Sequence, residues 1–358
     1  MSRSVSVIGL AMLLCLAVAS ADDGGSPGKT RTREEVVELI QTVGPTVPEW
    51  FDSVPLKYPD TLNLQWEQVR EGWSPDHNMG AWMRTRVWER PANWRTGIKV
   101  LHHAVEVNAG NPKALKQSRD ALAQCYYFLF QDYARAAYWN GQAGNSSPLL
   151  LAECCYKLGS KELAAEILSG VEVTARNAAG LMKVWGEMGE YQRALSLGET
   201  VARGGQPDLA NLVAGDAARA NGLFDEALKY YRACAALQTG GRRLNVHKTY
   251  ASASAQAVEA LKGAGAPPLA DGTYSGTSAG GYKGPLTVEI TVNGGRIESV
   301  RVTEFRDNWY GASVEHVPAR IAERQGIVGV DAVTGATVTS RAIVNATMTA
   351  LAAASRQP

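Results

Sequence analysis

Little in this 358-residue chain points to a metal, a haem or a nicotinamide nucleotide. Its five cysteines never fall in a CxxC or CxxCH arrangement, which excludes zinc-knuckle ligation, c-type haem attachment and the usual cysteine set of an iron–sulfur cluster. His77, His102, His103 and His247 are scattered, with no carboxylate or cysteine at ligand spacing, and read as surface or core residues. No Gly-x-Gly-x-x-Gly follows a strand and opens a helix, so the nicotinamide-binding arrangement is absent. Charge is nearly balanced, 36 Lys and Arg against 35 Asp and Glu, and there is no long basic run. That argues against nucleic acid as a partner. No uninterrupted apolar run reaches the roughly 18 residues of a membrane-spanning helix.

What is present begins with an export signal. Arg3 supplies a positive start, Val7 to Val18 an apolar run, and Ala19-Ser20-Ala21 a small-x-small cleavage site before Asp22 and Asp23. Residues 1–21 are read as a signal peptide. Cys15 follows Leu14, whereas a lipid-acceptor cysteine usually follows a small residue. The mature protein is expected to be periplasmic or otherwise extracytoplasmic, either free or docked at the membrane surface on a partner. Cys125, Cys154, Cys155 and Cys234 remain after cleavage, all in apolar helical patterns. They read as buried thiols, with a Cys125–Cys154 disulfide left open by spacing.

Residues 22–93 read as a polar lead-in followed by a cap rich in Pro and Trp. Pro45, Pro48, Pro55, Pro59, Pro75 and Pro91 break any long helix there. Trp50, Phe51, Trp66, Trp73, Trp82 and Trp88 crowd the same stretch. Packing onto the following helices is the expected use of these aromatics, with a surface for a partner or glycan as the alternative. Residues 94–263 are helical and repetitive. Gln131-Asp132-Tyr133, Gly159-Ser160-Lys161, Gly189-Glu190-Tyr191 and Gly222-Leu223-Phe224 each sit between two apolar helical stretches. Each is followed by a small residue at Ala136, Ala164, Ala194 or Ala227. The period of about 30 residues is close to the tetratricopeptide value of roughly 34, and the array resembles tetratricopeptide repeats. Such an array either docks a partner or serves as a scaffold. Residues 264–270, Ala264-Gly265-Ala266-Pro267-Pro268-Leu269-Ala270, form a linker.

From residue 271 to 354 the period changes. Leu286, Val288, Ile290 and Val292 alternate with Thr287, Glu289 and Thr291, a half-buried strand, and Asn293-Gly294-Gly295 predicts a hairpin to a return strand ending near Glu304. Helices are expected at about Val314–Gln325 and Thr339–Ala353. Between them stands Asp331-Ala332-Val333-Thr334-Gly335-Ala336-Thr337-Val338-Thr339. Taken alone it could be an ordinary turn with a Thr N-cap. A hydroxyl at a helix start is also where free N–H groups favour a phosphate, and Gly335 and Ala336 leave room for one.

These residues carry a resemblance. Asp331, Thr334, Gly335, Ala336 and Thr337, with Thr339 trailing, match the Asp-x-x-(Ser/Thr)-Gly-Ala-(Ser/Thr) motif of the covalent-FMN domain found in periplasmic subunits of sodium-translocating NADH:quinone reductases and Rnf-type complexes. The opening Asp-Gly-x-Tyr-x-Gly is matched by Asp271, Gly272, Tyr274 and Gly276, and the Gly-Tyr-x-Gly-Pro-Leu by Gly281, Tyr282, Gly284, Pro285 and Leu286. The resemblance implies a two-domain chain: an all-α, tetratricopeptide-like array followed by a small α+β FMN-binding domain. It implies FMN esterified through its phosphate to Thr337, with Thr339 as the competing hydroxyl and Asp331, Thr334, Gly335 and Ala336 around it. A flavin transferase using FAD and a divalent metal would mature it. The chain departs from the respiratory subunits where Glu315-His316-Val317-Pro318 replaces their Glu-Thr-Pro-Gly, and where a repeat array replaces their membrane helix.

The expected role is an electron carrier between redox partners, soluble or membrane-bound, with no catalytic residue and no resident metal of its own. The alternatives are an extracellular flavin reductase acting on a small acceptor, or a repeat adaptor whose flavin-like domain is not redox-active. Trp309 and Tyr310 could face the flavin ring or close the core, and Arg320 is expected on a solvated helix face, with a place facing the flavin or its phosphate as the alternative.

Overall fold

The computed structural model describes residues 29–67, 73–265 and 268–355. The expected export signal lies outside them. Helix α1 (Arg33–Val43) opens with a capping box, in which Thr32 accepts from the Glu35 N–H and Glu35 accepts from the Thr32 N–H. The proline-broken stretch then yields only short pieces, ending in α2 (Met79–Trp82) and a π-helical turn over Met83–Trp88. Ten longer helices follow among the described residues: α3 (Trp94–Val107), α4 (Pro112–Cys125), α5 (Tyr133–Gln142), α6 (Pro148–Lys157), α7 (Lys161–Ser169), α8 (Ala178–Glu187), α9 (Tyr191–Arg203), α10 (Pro207–Ala220), α11 (Phe224–Ala236) and α12 (Leu244–Ala264). None of the described helices is long and apolar enough to cross a membrane.

The repeating punctuation has a backbone cause. Gln131, Gly159, Gly189 and Gly222 take φ of 54°, 110°, 78° and 74°, the left-handed conformation that ends one helix and turns the chain into the next. Glycine adopts it freely; Gln131 does so with its amide donating 2.7 Å to the Tyr127 carbonyl. Ala136, Ala164, Ala194 and Ala227 are fully buried, and their small side chains let paired helices approach. All four described cysteines are free and buried.

The C-terminal part is a small α+β unit. Strands β1 (Gly272–Ser278), β2 (Leu286–Asn293) and β3 (Arg296–Glu304) form an antiparallel sheet in the order β1-β2-β3. Asn293 pairs with Arg296 across a two-residue turn, where positive φ falls on Gly294 and Gly295. Helices α13 (Ser313–Arg324) and α14 (Thr337–Ala354) complete the unit. The fold is thus an all-α array followed by a small α+β domain.

The two parts share a core. Leu212, Tyr231 and Val258 from α10 to α12 cluster with Val288, Ile290, Ile343 and Leu351 of the sheet and α14. Asn345 Nδ2 donates to Ser254 Oγ at 3.0 Å, and Arg219 donates to the carbonyls of Ile327 (3.2 Å) and Val330 (3.1 Å). This packing presses the loop before α14 against the array.

Candidate functional site

Thr337 is the first residue inside α14, two positions before the expected start. Ala336 is the N-cap and offers no side-chain acceptor, so the first N–H groups of α14 have no side-chain cap. Gly335 precedes it at φ 82°, and a Cβ there would stand 2.9 Å from the Phe128 ring. Ser340 ties the loop down, accepting from the Val333 N–H at 3.0 Å and donating to the Ala336 carbonyl at 2.9 Å. Thr337 is half-buried, and no described residue bonds its hydroxyl.

The two other motif hydroxyls are engaged. Thr339 is fully buried and donates to Asp307 Oδ2 at 2.6 Å. Asp307 also accepts from the Tyr282 and Lys283 N–H groups at 3.2 and 2.8 Å. This one carboxylate therefore holds the Gly-Tyr-Lys-Gly loop against the start of α14, which gives the upstream motif its structural reason. Thr334 donates to Glu153 of α6, at 2.8 and 3.0 Å to its two oxygens. In this arrangement Thr334 and Thr339 serve the protein's own carboxylates and leave Thr337 as the free hydroxyl of the motif.

Asp331 anchors the front of the loop. It is 7% exposed and pairs with Arg320 of α13 at 2.8 Å and with Lys157 of α6. Arg320 was expected on a solvated face; it is 6% exposed, and its second amino group donates to Tyr133 Oη at 2.9 Å and Gln131 Oε1 at 3.3 Å. The helical period of α13 shows a polar residue but not which neighbour covers it. Gln131, the one non-glycine among the punctuating positions, thus has a second use as a receptor for Arg320. Around Asp331 the charges continue through Lys157–Glu187 (3.4 Å), Lys183–Glu187 (2.7 Å) and Lys183–Glu153 (2.9 Å). Burial pulls the Lys157 ammonium down to about 8, with Glu187 opposing it. Burial alone would raise the Glu153 carboxyl, but Lys183 and Lys157 beside it hold it below the usual range.

Two spaces flank Thr337. One is a groove of about 1210 Å³ between the N-terminal cap and the α+β unit, reached by Thr337, Gly335, Trp73, Trp88 and Trp309. The other is a smaller cavity of about 320 Å³ between α8, α10 and α14, lined by aliphatic residues such as Leu209, Leu212 and Val213 and by charged ones such as Lys183, Asp216 and Arg341. The aromatics divide accordingly. Trp82 is core at 5% exposure, whereas Trp73 is 64% exposed on the groove. Trp309 stacks on Trp88 at 5.2 Å and 20°, while Tyr310 packs edge-on against Phe305 at 5.1 Å. Crowding of tryptophans signals an unusual segment in the sequence, but not that part of it faces the motif loop.

Two half-buried histidines predict a pH dependence. Burial, then Arg320, lowers His316 to about 4; burial, then Arg135 and Lys99, does the same for His102. The unfolded chain takes up protons near pH 6.5 while the folded chain waits until about 4. Stability is therefore full above pH 6.5 and is lost as pH falls toward 4, by up to roughly 3 kcal/mol per histidine. Urea denaturation across that window tests this, and His316→Asn is expected to flatten the profile.

A family model described as an FMN-binding domain matches residues 281–352, from the Gly-Tyr loop through most of α14. No curated protein and no solved structure matches the chain. The chain carries an FMN-binding domain in its C-terminal part, and the motif loop and the free Thr337 hydroxyl lie inside it.

Proposed function

We propose that this protein is an exported electron carrier holding FMN through a phosphoester on Thr337, with the helical array as its docking scaffold. The observation that carries the reading is the state of the three motif hydroxyls. Inside the matched FMN-binding domain, Thr339 and Thr334 are bound to carboxylates, and Thr337 is accessible at a helix start with no side-chain cap.

The residues present fit such a group. The uncapped N–H groups of α14 and the positive end of its dipole favour a phosphate diester. Gly335 keeps side-chain bulk away from the approach to Thr337, and Asp307 and Ser340 hold the loop in place. Attachment transfers the FMN phosphoryl group from FAD to Thr337 Oγ1; AMP leaves and the hydroxyl proton is lost. A flavin transferase with a divalent metal is the expected catalyst. The bound flavin supplies the redox chemistry, and the protein supplies binding and orientation. Covalent attachment keeps the cofactor where the cell cannot replace it. Docking by the array is supported by its repeating helix pairs, a form that commonly presents a partner surface.

The test is intact-mass spectrometry of the exported chain after co-expression with a flavin transferase. The wild type is expected to gain the mass of one FMN less one water. Thr337→Ala loses the increment entirely, and Thr339→Ala keeps it. An unmodified wild type beside an active transferase overturns the reading.

A further inference from the structure

Resting on the attachment at Thr337, we propose that the isoalloxazine ring lies in the groove between the N-terminal cap and the FMN-binding domain, walled by the indoles of Trp73, Trp88 and Trp309. The Trp-rich segment then completes the flavin site from outside the matched domain.

Four observations carry this. The groove reaches Thr337 and measures about 1210 Å³, above the roughly 300–1,000 Å³ of ordinary small-molecule pockets, so space does not exclude a flavin. Its walls include planar aromatic faces, the surface a flat tricyclic ring stacks upon. Trp73 is 64% exposed although tryptophan is among the most buried side chains on average, and its indole lies over Gly80, where a Cβ would stand 3.0 Å from the ring. Among the described residues, none covers that exposed face. Finally, Trp66, another wall residue, holds φ 64°, a conformation costly for a bulky side chain, and is fixed by its indole N–H donating 2.9 Å to Ser118 Oγ. Such outliers concentrate at ligand clamps.

The opposite cavity is the competing place for the ring. It measures about 320 Å³, roughly a quarter of the groove, and its lining mixes aliphatic residues with charged ones, the Asp216–Arg341 pair among them, and a single tyrosine ring, Tyr250. Cations line both spaces, Arg84 and Lys283 in the groove and Lys183, Arg219 and Arg341 in the cavity, so what sets the groove apart is its larger volume and its several indole faces.

Stacked indoles quench flavin emission by donating an electron to the excited ring, so fluorescence per attached FMN reports the wall directly. In the flavinylated wild-type chain this emission is expected to be weak. Trp73→Ala and Trp309→Ala are each expected to retain the full FMN mass and raise the emission several-fold, with unchanged circular dichroism. Val213→Phe, which fills the opposite cavity, is expected to change neither. Full FMN mass with unaltered emission in both tryptophan variants overturns the groove assignment while leaving the attachment intact. So does a spectral change confined to Val213→Phe. A wild type without the FMN mass removes the attachment and the groove assignment together.

Discussion

Replacing Asp331 by alanine is expected to lower the unfolding free energy by about 3–5 kcal/mol, the cost of removing one partner from a buried ion pair. Asp331 stands between Arg320 and Lys157, and none of the three side chains is more than 10% exposed. Without the carboxylate, two cations face each other across a site from which water is largely excluded. Arg320 retains Tyr133 and Gln131, and Lys157 retains Glu187, so the network weakens without vanishing. Asp331→Asn preserves shape and some hydrogen bonding and is expected to cost less. Lys157→Met in the Asp331→Ala background removes one orphaned charge, so the double variant is expected to be more stable than additivity predicts. Urea midpoints of wild type, Asp331→Ala, Lys157→Met and the double variant close that cycle. Equal stability of Asp331→Ala and wild type would show that the pair has no structural role. The loop carrying Thr337 hangs from this anchor, and flavin attachment to Asp331→Ala is accordingly expected to be slower as well.

Gly276→Ala is expected to destabilise the protein by about 3 kcal/mol, the upper range of overpacking. A Cβ at Gly276 would stand 2.1 Å from the Ala346 carbonyl oxygen and 2.6 Å from the Ala350 nitrogen. Both are backbone atoms of α14, so no rotamer change relieves the clash and β1 must move off the helix. Gly294→Ala, in the hairpin, meets no atom within 4 Å but keeps an unfavourable φ of 58°. It is expected to cost only about 1 kcal/mol. Thermal unfolding of the two variants compares a steric effect with a purely conformational one; equal losses would contradict the close approach at Gly276.

Much of this architecture was legible from local rules. The alternation from Leu286 to Val292 predicted a half-buried strand because side chains on a strand alternate faces, and all four apolar positions are buried. The punctuation from Gln131 to Gly222 was legible because a helix end demands a left-handed residue at a fixed place. The motif around Thr337 was legible as a helix start, although α14 begins two residues earlier than its apolar pattern suggested. Arg320 was misread because period alone ranks a charged residue as solvent-facing. Its cover comes from Asp331 eleven residues on and from Gln131 and Tyr133 in the other part of the chain.

By itself, then, the sequence determined the kinds of elements and their order, and marked Thr337 within a flavin-type motif. Those features follow from residue spacing and backbone preference, which act over a few residues. Only the tertiary structure decided which motif hydroxyl is free. Thr339 is closed off by Asp307 and Thr334 by Glu153, partners 32 and 181 residues away that no local pattern connects. It also decided that Trp73 and Trp88 of the N-terminal cap share a groove with Thr337, because that juxtaposition arises from the helical array packing against the sheet and α14.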